Sequence, residues 1–159
     1  YYFVMFFPDV WGYELFEGYM PKSLWNNNAG ITFVSDYEGY KGRSDYAENT
    51  SGGYYAARLP IIEKLAAMRK QASVLVIRFV TDEYACPLGV FVCRESVRKA
   101  MSSAPVKFSS REEMLAYVKG VTLKMFSYDI SEILKRSMLL NNIKSQTKLS
   151  SFSPEPDSD

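Results

Sequence analysis

A single α/β or α+β domain, a mixed sheet packed by helices with a disordered C-terminal tail, is the fold the sequence predicts. Three observations predict it. The chain has 159 residues, 47% of them hydrophobic and 15% aromatic, enough for one compact core. Apolar runs of strand length alternate with segments of helical rhythm, in the order strand, loop, strand, helix, strand, strand, helix, helix. Residues 141–159 then turn polar and rich in Ser, Pro and Asp, a composition with too little apolar surface to offset the cost of ordering it.

The elements follow in order. Tyr1 to Phe7 is a run of aromatic and apolar residues that ends at Pro8 and reads as a buried strand. Such a run, with no initiator Met, is expected inside a longer protein and not at a natural terminus. Residues 9–30 carry Trp11, Trp25 and an Asn-rich turn and read as loop. Ile31 to Val34 is a short strand candidate. Residues 35–53 are polar and hold Gly39, Gly42, Gly52 and Gly53, a loop long enough to suggest a function.

Tyr54 to Arg69 has the i, i+3/i+4 spacing of an amphipathic helix, with Pro60 requiring either a kink or a start near Leu59. Ser73 to Phe79 is nearly continuous apolar chain, as in a central strand buried on both faces. Pro87 to Val92 reads as a further strand that leads into a basic helical turn, Arg94 to Met101. Ser109/Glu112 and Ser110/Glu113 both have capping-box spacing, so a helix starts there and runs to about Lys119, stopped by Gly120. A last helix spans Ile130 to Leu140, ended by Asn141 and Asn142.

Composition excludes several classes. With no His, the segment has no Ser-His-Asp or Cys-His nucleophile system, no H-E-x-x-H zinc site and no imidazole ligand. Net charge is +1, so any nucleic-acid contact needs a local patch. Cys86 and Cys93 lack C-x-x-C or metal spacing and read as buried small hydrophobes in a reducing cytoplasm, the expected location. No metal-ligand motif is present in this segment, and composition leaves the cofactor open. The longest apolar run is far below the ~20 residues that span a bilayer.

Two constellations point to function. The first is the polar loop with the start of the helix after it: Asp36, Glu38, Arg43, Tyr54, Tyr55 and Arg58. Arginine forks suit phosphate, tyrosines can stack bases, and Gly52-Gly53 would let helix N–H groups face an anion. Two chemistries are open for it. One is a metal-dependent nuclease or nucleotide-processing enzyme using Asp36, Glu38, Arg43 and Arg58. The other is a non-enzymatic scaffold that binds nucleotide or DNA. Arg94, Arg98 and Lys99 form a second basic face, which pairing with Glu95 would neutralise.

The second constellation is Gln146, Leu149 and Phe152 in the tail. One 3₁₀ turn places residues three apart on one side, so Leu149 and Phe152 form a two-pronged plug with the Gln146 amide at its rim. This spacing resembles the peptide that docks on the DNA sliding clamp PCNA. Burying the two apolar side chains contributes roughly 1.5–3 kcal/mol each. Ordering the tail costs about 2–5 kcal/mol, so affinity on the order of micromolar is expected. Ser153 stands where that peptide often has a second aromatic.

Several stretches together resemble the archaeal Nre family. They are Asp36-Tyr37-Glu38-Gly39-Tyr40-x-Gly42-Arg43-x-x-Tyr46-Ala47, then Gly52-Gly53-Tyr54-Tyr55-Ala56-Ala57-Arg58-Leu59, Arg69-x-Gln71-Ala72-Ser73-Val74-Leu75-Val76, Glu83-Tyr84, Pro87-Leu88-Gly89-Val90 and Arg94-Glu95-x-Val97-Arg98. The resemblance implies a DNA-damage repair factor with a PCNA-binding peptide, here Gln146, Leu149 and Phe152, and gives no reaction. It divides the chain into the end of an N-terminal region at 1–35, the C-terminal domain at 36–140 and a flexible tail at 141–159. Any zinc finger of the family lies outside this chain.

Overall fold

The computed structural model describes residues 1–84, 86 and 88–145. The tail motif Gln146, Leu149, Phe152 therefore lies outside the described residues. Four strands, β1 (Tyr2–Phe7), β2 (Gly12–Tyr19), β3 (Thr32–Glu38) and β4 (Ser73–Val80), form one mixed sheet in the order β1-β4-β2-β3. β4 pairs antiparallel with β1 and parallel with β2, and β2 pairs antiparallel with β3. Strands from 1–35 and strands from 36–140 thus share one sheet.

Helices cover both faces. Period-2 alternation sends Val74 and Val76 of β4 to one face and Leu75, Ile77 and Phe79 to the other. On the first face, Val74, Val76, Tyr13 and Leu15 pack under α1 (Ser51–Met68) through Ala57, Ile61 and Leu65, and under α2 (Val90–Ser102) through Val97. On the second, Met5, Phe16, Leu75, Ile77 and Phe79 pack under α3 (Arg111–Phe126), α4 (Ser131–Arg136) and α5 (Met138–Ser145). There Phe79 stacks on Phe126 with ring centroids 4.3 Å apart.

The expected α/β layering with a mixed sheet is present, and β1, α1 and β4 lie where the sequence places them. Other boundaries differ, each for a physical reason. β2 falls inside the stretch read as loop. Its alternation is masked because Glu14 and Glu17 sit in it and are buried, each with partners of its own. β3 runs on to Glu38 for the same reason: Asp36 and Glu38 point inward to buried partners and so look like loop residues in sequence. α1 continues through Pro60, which is buried in its middle.

Val90 to Val92, read as strand, are the first turn of α2. Val90 and Phe91 are exposed there while Cys93 and Val97, four apart, are buried. Cys93 is buried as expected, but Cys86 is exposed; both are free thiols. Gly120 does not stop α3, which continues to Phe126. Its start is capped as expected at one of the two registers: the Ser110 hydroxyl accepts from the Glu113 N–H, and the Glu113 carboxylate accepts from the Ser109 N–H.

The last helix is two helices, and Asn141 and Asn142 lie inside the second. Glu14 makes the break. Its buried carboxylate accepts from the Ser137 hydroxyl at 2.5 Å and from the backbone N–H groups of Met138 and Leu139 at 3.1 Å. These are orphan donors at the start of α5. Burial pushes the Glu14 carboxyl above its usual value of 4.5, against the pull of these hydrogen bonds.

Candidate functional site

β3 directs Asp36 and Glu38 to the α1 face of the sheet, because residues two apart in a strand share a face. α1 brings Tyr54, Tyr55 and Arg58 over them, and the connection between β3 and α1 brings Arg43 and Tyr46. Glu38, Arg43, Ser44, Asp45, Tyr46, Tyr55 and Arg58 line one open cavity of about 360 Å³. Four of the six residues singled out in the sequence therefore converge on it; the other two are placed differently.

Asp36 stands behind the cavity. Its Oδ2 accepts from the N–H groups of Asn49 and Thr50 and from the Thr50 hydroxyl, at 2.7–3.0 Å, which pins the turn into α1. Its Oδ1 lies 3.5 Å from Arg43. Tyr54 belongs to the core: it is fully buried, with its ring edge-on to Tyr13 at 4.8 Å. Burial and the nearby Glu38 carboxylate push its phenol well above the usual value, yet its hydroxyl makes no hydrogen bond of acceptable geometry. Enclosed in this way, it does not line the cavity. The sequence could not separate it from its neighbour, because Tyr54 and Tyr55 have the same chemistry and only the helical phase assigns one inward.

Arg43 is largely committed. Its guanidinium donates to the carbonyls of Tyr37, Asp45 and Tyr46 at 3.0–3.2 Å and lies over the Tyr54 ring at 5.4 Å. It folds the loop back onto β3 as a cross-brace.

Arg58 has a different position. Its Nε donates to Glu38 Oε1 at 2.8 Å, and its guanidinium lies over the Trp11 ring at 5.3 Å. Glu38 is 3% exposed, and the same Oε1 also accepts from the Trp11 indole N–H at 2.8 Å. One edge of the Arg58 fork is thus anchored and preorganised. Among the described residues its two terminal nitrogens have no hydrogen-bond acceptor, and Arg58 lines the cavity. Beside it Tyr46, 63% exposed, pairs with Tyr55 at 4.8 Å between ring centroids. The Tyr55 hydroxyl accepts from the Ala47 N–H, which fixes that ring.

The arrangement can hold an anionic group on a planar cation next to a planar aromatic surface. Both carboxylates are engaged by protein donors, and among the described residues no three His, Cys, Asp or Glu side chains cluster as metal ligands. Trp11 was not singled out from the sequence; its isolation in a stretch read as loop gives no signal of the Glu38 contact.

Gly52 and Gly53 serve packing. A Cβ on Gly53 would stand 2.7 Å from Glu17 Oε1, and one on Gly52 2.8 Å from Val90. The carboxylate beside this helix start is the protein's own. Arg98 bonds Glu63 of α1 at 2.7 Å and Glu95 at 2.9 Å, and Arg94 bonds Glu95 at 3.1 Å, so these two arginines of the second basic face are paired.

This sheet, with its arginine- and tyrosine-lined cavity, is that of an archaeal Nre protein: the family model for the C-terminal part of archaeal Nre matches residues 38–152, and the chain belongs to that family. Among its relatives, a protein named DNA repair protein NreA from Haloferax volcanii is 44% identical over 101 residues, covering 62% of this chain and 24% of the relative. DNA repair protein NreA from Archaeoglobus fulgidus is 45% identical over 112 residues, covering 70% and 28%. DNA repair protein NreB from the same organism is 31% identical over 140 residues, covering 88% and 34%. The chain thus spans about a quarter to a third of the length of the curated relatives it matches. No solved structure matches it.

Proposed function

We propose that the chain is part of a DNA-damage repair factor that meets DNA through the Arg58 cavity and docks on the PCNA sliding clamp through Gln146, Leu149 and Phe152. Relatives that each carry the name DNA repair protein support the pathway. The observation that carries the contact is the half-anchored Arg58 guanidinium beside the exposed Tyr46 ring. A phosphate meets the open edge of the fork, and an unpaired base stacks on the tyrosine, a pairing typical of single-stranded nucleic-acid sites.

The geometry favours binding over metal-dependent nuclease chemistry at these residues. Asp36 is spent on the turn into α1 and Glu38 on Trp11 and Arg58. Arg43 and Asp36 act as the brace that shapes the cavity. The clamp contact rests on the tail spacing and on the family resemblance. Among the described residues no helix is long and apolar enough to cross a membrane, and a cytoplasmic place of work, at chromosomal DNA, goes with this reading.

Titration of PCNA with the intact chain and with a Leu149→Ala/Phe152→Ala variant tests the docking. Micromolar binding by the intact chain that falls at least tenfold in the variant is expected. Equal binding by both removes the tail from the account.

A further inference from the structure

A second cavity, of about 230 Å³, opens at the carboxyl end of β4, which pairs parallel with β2, and beside α2; it shares no lining residue with the Arg58 cavity. Tyr2, Arg78, Thr81, Tyr84, Cys93 and Ser96 are among its lining residues. At its base Arg78 Nη1 donates to Glu17 Oε1 at 2.6 Å, and Glu17 Oε2 accepts from the Tyr19 hydroxyl at 2.7 Å. Both charged side chains are nearly buried, 13% and 4% exposed. The Arg78 guanidinium lies over the Tyr2 ring at 5.7 Å.

Two features set this pair apart from a purely structural one. Among the described residues, the Nε and Nη2 groups of Arg78 have no acceptor, although the residue is close to buried. The Tyr2 hydroxyl is also buried and, among the described residues, has no hydrogen bond beyond a close approach to the Cys93 thiol. Arg78, with one edge of its guanidinium open, thus lines a cavity where an anionic ligand can meet it. At the mouth, Tyr84 stacks on Trp25 at 5.6 Å and 27°, and Trp25 is 48% exposed. The Glu83 carboxylate at the rim is engaged by the hydroxyls of Tyr1 and Thr81.

We propose that this cavity is a binding site for the terminal phosphate of a nucleotide, held by the open edge of Arg78 and the Tyr2 hydroxyl, with the base against the Tyr84–Trp25 pair. Glu17 keeps the buried arginine neutralised when the site is empty, and the second edge of the fork remains for phosphate. The size agrees: the cavity is below the ~300–1,000 Å³ of whole-ligand pockets, so it admits a phosphate and part of its sugar while the ring stays outside on the aromatic pair. The carboxyl ends of parallel strands are also where open α/β sheets commonly hold ligands.

Calorimetric titration of the chain with inorganic phosphate, deoxyadenosine, deoxyadenosine monophosphate and a dinucleotide with or without a 5′-phosphate tests this. The monophosphate is expected to bind at least tenfold more tightly than deoxyadenosine and more tightly than inorganic phosphate. A gain on adding the 5′-phosphate to the dinucleotide assigns the site to strand ends; binding of the mononucleotide alone assigns it to free nucleotides; either outcome supports it. Ser96→Phe, at an exposed helix position lining the cavity, fills the site without touching the Arg78–Glu17 pair and is expected to weaken binding at least tenfold. Tyr84→Ala weakens it severalfold, and Lys124→Gln, on the exposed side of α3, leaves it unchanged. Absence of binding by every phosphate ligand overturns the proposal. So do equal binding of nucleoside and nucleotide, full binding by Ser96→Phe, or loss of binding in Lys124→Gln.

Discussion

The two faces of the sheet use buried charge in opposite ways. Under α3, α4 and α5 the core is aromatic and aliphatic, and β2 sends one carboxylate into it, Glu14, with the first two backbone donors of α5 and the Ser137 hydroxyl directed at it. Under α1 and α2 the same sheet carries Asp36, Glu38 and Glu17, with Arg43, Arg58 and Arg78 against them. On the first face the polar group is completely used by the protein and fixes architecture. On the second, two arginines are anchored on one edge and open on the other. A buried charge whose partners are all internal holds a fold together; one left half-satisfied at a cavity is available to a ligand.

Removing Glu14 should have the largest effect. Glu14→Ala orphans three donors around the start of α5, two of them buried, at ~1–3 kcal/mol for an unsatisfied group, and is expected to destabilise the chain by about 3–5 kcal/mol in urea unfolding. A loss below about 1 kcal/mol would show that the α4–α5 break does not depend on it. Next in size, Asp36→Ala should cost roughly 2 kcal/mol, because the turn into α1 loses its acceptor.

The pH dependence sharpens the same contrast. Because burial raises the Glu14 carboxyl above 4.5, the folded state holds this proton more tightly than the unfolded one. Its contribution to stability is present below pH 4.5 and is lost as pH rises through the raised value. Comparing unfolding curves across pH 4–7, Glu14→Gln should remove this downward component. An unchanged slope in the variant would contradict the burial of the charge.

The smallest expected effect is that of Tyr54→Phe, which removes a buried hydroxyl with no hydrogen bond and should change stability by less than about 1 kcal/mol. A larger loss would mean that the hydroxyl is bonded to Glu38.

Much of this contrast was legible in the sequence, and the illegible part has one cause. The continuous apolar run of β4 announced a strand buried on both faces, and Ser110 with Glu113 announced the start of α3. β2 and the end of β3 were hidden because their inward residues are Glu14, Glu17, Asp36 and Glu38, which look solvent-facing until their partners are known. Those partners lie far along the chain: Ser137 is 123 residues from Glu14, and Arg78 is 61 from Glu17. The loop composition singled out Arg58 and Tyr55, which line the cavity, but it could not rank Arg58 above Arg43. Only the spatial count of carbonyl acceptors shows that Arg43 is used up. Arg78 was not singled out from the sequence, where it lies inside the apolar run of β4.

The most direct test of the contrast is the binding of a fluorescent single-stranded oligonucleotide at several salt concentrations, with substitutions on each face. Arg58→Gln and Tyr46→Ala lie on the α1 side, and Lys124→Gln and Lys135→Gln lie on the α3–α4 side. The account predicts that the first two weaken binding by about tenfold, with the shallower salt slope of a lost phosphate contact in Arg58→Gln, while the lysine variants stay within about twofold of the parent chain. Equal losses on both faces, or a loss confined to the lysine variants, would contradict it.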